Sequence, residues 1–380
     1  MNRRMSRPIG LRRICAPLAM AIAMLLGAIA AAAAQSATPD DTARALAGLP
    51  VAPGSPLAPL MQDLAWRQHA STFSAAFAKI DKNRLDKIRA WASSKVAAPR
   101  GVLFYFFSGP DFLYANAFFP NASTYVLSGL EPVGLVPDLT RLPRQSVGEA
   151  LRRLEGSLSS ILTLSFFKTI AMKSDLSASR VSGVLPVLYV FLTRSGKKIE
   201  YVSPIGLDQE GVPQPLDETG LPRAARGVKI VFTDAEGHVA TLYYFSANVA
   251  NGGFKASGLA AFCDKLGVGD SFVKSASYLL HGGDFSDVRT FLLEHSVLIL
   301  QDDTGIPARY FDRAQWRLRP FGHYTSPIAL FRGKYQPQLR QLFQQGRAEP
   351  IDFGVGYQWR SQESNLLLAE KNVQKGSAAR

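Results

Sequence analysis

Apolar positions recur at helical spacing between Leu57 and Val96: Phe73, Phe77 and Ile80, then Leu85, Ile88 and Trp91. One buried helical face gives that spacing, and Pro99 marks its end. Gly101–Ser108 reads GVLFYFFS, apolar at every other position and between, then stops at Gly109-Pro110. A strand covered on both faces has this pattern. Asp111–Phe119 predicts a short helix stopped by Pro120, and Thr124–Leu130 a second strand stopped at Glu131-Pro132. Strand, short helix, strand suggests a parallel unit.

Ser146 with Glu149 forms a capping-box pattern, after which Leu151, Leu154, Leu158, Ile161 and Ser165 follow one helical face. Val184–Leu192 is apolar and fits helix or strand, and Lys198–Ser203 fits a strand. Residues 204–226, with Pro204, Pro213, Pro215 and Pro222, predict a long loop, either a flap over a site or a boundary between halves. Val228, Ile230 and Phe232 alternate, as do Val239, Thr241, Tyr243 and Phe245. The turn Asp234–Gly237 makes them a hairpin. Helical patterns follow at 257–266, 271–281 and 286–295, a short strand at Val297–Leu300, a helix at Gln336–Gln345 and a last strand at Ile351–Tyr357. The fold class expected is α/β or α+β, a mixed sheet with a parallel portion flanked by helices.

The N-terminus has a different pattern. Arg3, Arg4, Arg7, Arg12 and Arg13 precede an apolar run to Ala34, with Ala32 and Ala34 before Gln35. That describes a secretory signal peptide over 1–34 and a periplasmic or secreted product. Residues 35–56 read as a flexible N-terminal tail, 57–370 as a single globular domain and 371–380 as a frayed tail. No other run is long enough for a transmembrane helix in the mature chain.

The chain has 380 residues, 47% of them hydrophobic, enough to bury a sizeable core. Two cysteines exclude a disulfide scaffold; Cys15 falls in the leader and Cys263 reads as a buried structural thiol. Net charge is +13; loss of five leader arginines and no leader acid leaves +8. Residues 305–347 hold eight cations and one acid, Asp312, interleaved with aromatics. Arg309, Arg313 and Arg317 would share one face if that stretch is helical. Such a face suits an anionic envelope component, a phosphate-bearing ligand or a membrane surface. Export disfavours nucleic acid.

In open α/β sheets ligands sit at the carboxyl ends of strands. Asp111, Glu131, Asp302 and Asp303 fall at such ends, and four crowded carboxylates would bind a hard cation or hold a proton. As caps and turn residues they need no such site. Ser108 sits at a strand–turn–helix junction, but the G-x-S-x-G pattern is absent. Of His69, His238, His281, His295 and His323, the last, in FGHY, is the best catalytic candidate. Two functions follow: an exported hydrolase with a carboxylate site acting on a small molecule, or a non-catalytic envelope protein binding an anionic partner through 305–347. Neither cofactor nor metal is specified.

The strings FYFFSGPDFLYANAFFP (104–120), YVLSGLEPVG (125–134), SFFKT (165–169), QDDTGIPARYF (301–311) and FGVGYQWRSQESNLL (353–367) resemble a group of bacterial exported proteins with no assigned activity. The resemblance implies a bacterial, exported, globular protein and supplies no site residues.

Overall fold

A computed structural model describes residues 36–96, 101–167, 181–216, 225–345 and 347–372. The leader expected at 1–34 lies outside them. Ten strands form one sheet in the order β4-β3-β5-β6-β2-β1-β7-β8-β10-β9. Their ranges are β1 Val102–Tyr105, β2 Thr124–Gly129, β3 Lys198–Leu207, β4 Pro213–Pro215 and β5 Ala225–Thr233. The rest are β6 Val239–Ser246, β7 Gly269–Val273, β8 Ser296–Gln301, β9 Trp316–Gly322 and β10 Asn365–Lys371.

The five middle strands are parallel, β6-β2-β1-β7-β8. Both flanks are antiparallel: β3 with β4 and β5 on one side, β10 between β8 and β9 on the other. The fold is therefore α/β with a mixed sheet. By order of appearance the parallel strands run 3-2-1-4-5, so the winding reverses between β1 and β7.

Helices cover both faces. One core holds Leu103, Tyr105, Tyr125 and Leu127 from the sheet. Against them pack α2 Leu64–Ile80, α3 Asp86–Lys95, α4 Phe112–Phe118, α5 Arg144–Leu164 and α6 Leu185–Arg194. The opposite core holds Phe104, Phe106, Val126 and Ile299. It is covered by α7 Gly253–Ala256, α8 Leu259–Leu266, α9 Ser286–His295 and α10 Pro337–Gln345. Alternate residues of β1 thus enter different cores, as strand geometry requires. Cys263 is buried in the second core, and burial raises its thiol pKa, consistent with a structural role.

Several expectations are corrected. The 35–56 stretch is not a free tail: α1, Pro39–Leu46, is capped by Thr38 and buries Ala43, Ala45 and Leu46. Small alanines let it lie close, and the Trp66 indole donates to its Ala45 carbonyl at 2.9 Å. Helix α5 starts at Arg144 after Pro143, so Ser146 is not its cap. The described part of the 204–226 loop holds the end of β3, β4 and the start of β5 around a turn at 208–212, with 217–224 outside the described residues. The 271–281 helix is instead β7 and a turn; all five β7 residues are buried, which erases any strand alternation. No strand occupies 351–357. The last strand is β10, which takes in Lys371, the first residue assigned to the tail. The run 309–317 is a 3-10 turn, a bend and the start of β9, so Arg309, Arg313 and Arg317 share no helical face.

Candidate functional site

The carboxyl ends of β1, β2, β6 and β7 surround one cavity of about 300 Å³ at the reversal point. Each strand delivers a short polar segment: Ser108–Asp111, Ser128–Glu131, Asn248 and Lys274–Ser277. Phe107, Phe166, Phe285 and Tyr357 supply aromatic walls. The backbone around it is strained. Phe107, Ser275, Ser277 and Tyr278 all have positive φ, between 50° and 64°. Non-glycine residues adopt that region only when their surroundings over-determine it, and such positions concentrate at functional sites.

The floor is a closed electrostatic assembly. Asp111 is 2% exposed. It caps α4 by accepting from the Tyr114 amide at 3.2 Å. It also accepts from the Tyr105 hydroxyl at 2.8 Å and pairs with Lys274 Nζ at 2.9 Å. Lys274 further donates to the Ser165 carbonyl, and its ammonium lies 4.1 Å from the Tyr114 ring centre. Ser165 is the left-handed C-cap of α5. Burial raises the Asp111 pKa and lowers that of Lys274, and each charge opposes the other's shift. With three donors on it, Asp111 is a clamp between β1, α4 and β7.

Glu131 is different. It is 7% exposed, its carbonyl accepts from the Tyr244 hydroxyl at 2.8 Å, and it lines the cavity. Its carboxylate has no hydrogen bond or ion pair among the described residues. Gly129 and Gly109 make room for it: a Cβ on Gly129 would sit 2.5 Å from Glu131 Oε2 and 3.0 Å from the Tyr244 oxygen. Gly129→Ala should therefore push the carboxylate aside. The expected result is at least tenfold weaker ligand binding with the fold retained; unchanged affinity would mean the carboxylate has slack. The hydroxyls of Ser128 and Ser275, also on the wall, are buried and without a partner among the described residues. Ser108 Oγ instead donates to backbone carbonyls, at 2.8 Å to Gly109 and 3.2 Å to Ser128, leaving it poorly placed as a nucleophile.

The other predicted residues lie elsewhere. Asp302 sits behind the wall, accepting from the amides of Ser275 and Thr304, each at 2.9 Å, so it fixes the strained turn. Asp303 accepts from the Tyr278 hydroxyl at 2.5 Å and Asn365 at 3.2 Å, and does not line the cavity. His323 is exposed after β9, outside the lining. Arg317 reaches Glu370 at 3.8 Å, and Arg309 lies over the Tyr310 ring at 4.9 Å, both away from the cavity. Arg313 is exposed and also outside the lining. The four-carboxylate cluster thus reduces to Asp111 and Glu131. Among the described residues, the group with metal-binding spacing is Asp234, Glu236 and His238 in the β5–β6 turn, where Asp234 already accepts from two turn amides.

Asp303 has a measurable consequence. Burial, then the Asp302 charge, raise its pKa to about 7. In the unfolded chain an aspartate titrates near pH 4. A raised folded pKa gives stability that is full below about pH 4 and lost as pH climbs through about 7. Asp303→Asn should flatten that decline in urea unfolding measured across the range. An equally steep decline in the variant would assign it to other groups.

Tyr105, Ser128, Lys274 and Tyr357 are site residues that sequence reasoning missed. The one available signal was Lys274, a lone cation within the apolar run FVKS. Comparison with family models finds no match, and no curated protein or solved structure matches significantly.

Proposed function

We propose that this cavity binds a neutral ribonucleoside or a ligand built on one, with Glu131 accepting the two vicinal hydroxyls of the ribose. The carrying observation is the Glu131 carboxylate, on a residue 7% exposed, unpartnered among the described residues and lining a cavity at the winding reversal. In doubly wound sheets that reversal is where ligands bind, and an acid about twenty residues beyond the first strand's turn receives ribose hydroxyls. Glu131 stands twenty positions after Asp111 and two past the end of the second strand.

The chemistry narrows the ligand. A carboxylate can accept two O–H donors at once, and the unpartnered Ser128 and Ser275 hydroxyls offer further contacts. The aromatic walls suit a flat base. Phosphates are disfavoured: the glycine-rich cradle is absent, Asp111 already caps α4, and Lys274 is spent on Asp111. The hydrolase expectation survives in this proposal only as Glu131, since Asp111 is held by three donors.

Calorimetric titration with adenosine, 2′-deoxyadenosine and methyl β-ribofuranoside tests the proposal. Adenosine should bind, the deoxy form at least tenfold more weakly, and the furanoside weakly for want of a base. Equal affinity for the first two would remove the diol from the argument, and no binding by any would remove the ligand class.

A further inference from the structure

The second feature that calls for a ligand lies beside the cavity. Between β9 and α10 the chain makes a short 3-10 segment, Ala329–Lys334, kinked at Phe331. The Phe331 ring is anchored, 5.0 Å from Tyr278 and 5.6 Å from Tyr357, centre to centre. Its neighbour Leu330 is 80% exposed, more than any other large apolar residue among those described. Tyr310 and Tyr335 are also exposed, at 37% and 46%. Arg309, Arg332 and Lys334 are exposed beside them and form no ion pair among the described residues. Arg317 and Arg319 differ, pairing with Glu370 and Glu349. Arg313, Arg340 and Arg347 also form no ion pair among the described residues, but Arg332 and Lys334 are the cations that flank the exposed leucine in sequence. The Ala308 amide donates to the Gln336 side-chain oxygen at 3.3 Å, which ties the Arg309–Tyr310 turn to the end of the Leu330–Tyr335 segment.

We propose that this face, Arg309–Tyr310 together with Leu330–Tyr335, docks the protein on an anionic lipid bilayer. Leu330 enters the acyl boundary while Arg309, Arg332 and Lys334 meet headgroup phosphates. A bilayer accommodates both chemistries at once: apolar side chains gain by burial below the headgroups, and each nearby cation adds an attraction to anionic lipid. Tyrosine suits the interface, with an apolar ring and a polar tip. A phosphate polymer would satisfy the cations and leave Leu330 in water. Because Phe331 packs on Tyr357, a wall of the cavity, the docked segment is rigidly tied to the site. The inference stands independently of the ribonucleoside proposal.

The test is flotation of the full chain with phosphatidylcholine vesicles, with and without phosphatidylglycerol. Leu330→Asp and Arg332→Glu/Lys334→Glu are compared in the same chain, so any contribution of residues 16–34 is common to all. Binding should require phosphatidylglycerol and weaken with salt. Each cation removed should cost about fivefold in partitioning, so the double variant should lose at least 25-fold, and Leu330→Asp at least tenfold. Thermal unfolding should be unchanged in both. Leu330→Trp should keep binding and shift its emission to the blue on vesicles. Three outcomes overturn the proposal: no binding to the anionic vesicles, equal binding by the variants, or a Leu330-dependent dimer in sedimentation, which would give the face to a second copy.

Discussion

Glu131→Ala should abolish measurable nucleoside binding and leave the protein as stable as before, or slightly more so. Hydrogen bonds to a charged group contribute about 1.5–3 kcal/mol each. Two of them to a diol give a loss of affinity of at least about a hundredfold. Glu131→Gln keeps the shape and one good acceptor, so about tenfold is expected. Stability should not fall, because the carboxylate makes no hydrogen bond or ion pair among the described residues that the substitution would remove. Calorimetry and thermal unfolding on the same samples separate the possibilities. If Glu131→Ala unfolds more easily, the carboxylate has a structural partner and the binding argument fails.

Lys274→Met should produce the largest loss of stability of any single substitution at the site. It removes the ion pair to Asp111, the bond to the Ser165 carbonyl and the contact with the Tyr114 ring. Removing one member of a buried pair costs about 3–5 kcal/mol, mostly because the other charge stays buried alone. Two corollaries follow. Asp111→Asn/Lys274→Met should be more stable than Lys274→Met, since no uncompensated charge remains. And because burial already raises the Asp111 pKa, losing the ammonium raises it further. The stability contributed by a group with a raised folded pKa is lost as pH rises. The deficit of Lys274→Met relative to the parent should therefore shrink as pH falls, because Asp111 takes a proton more readily without its ammonium partner. A deficit that is constant with pH, or a double variant no better than the single, would place the loss in packing instead.

How much of this was legible in the sequence depended on whether local pattern decides the element. The β5–β6 hairpin was legible because its strands alternate and its turn carries Asp234 and Gly237. The β1–α4–β2 unit was legible from Pro110, Pro120 and Pro132, and it brought Asp111 and Glu131 to one edge. β7 was not, because a strand buried on both faces loses its period of two, and with β7 went Lys274. Helix α1 was read as a tail because alanine contributes little to a hydrophobicity pattern while packing closely. Asp302 and Asp303 were grouped by adjacency in sequence. Their hydrogen bonds separate them: Asp302 holds the Ser275 turn, whereas Asp303 meets Tyr278 and Asn365. Long-range partners of that kind leave no trace in spacing.

The place of β10 has a further consequence. It lies between β8 and β9 and hydrogen-bonds to both, yet 63 residues separate the end of β8 from its start. During translation β8 and β9 emerge long before the strand that joins them. At about 5–20 residues per second the gap stays open for about 3–13 s. Until then the nascent chain carries the unpaired edge of β8, joined by that of β9 once it has emerged, and cannot complete its sheet. Leu366, Leu367 and Leu368, each 2% exposed or less in the finished fold, act as the closing wedge. A ribosome stalled before Asn365 should display a protease-sensitive chain, and one stalled far enough beyond Lys371 for β10 to clear the exit tunnel should display a resistant one. Folding is thereby timed to the end of this segment's synthesis, whatever the earlier helices have already formed.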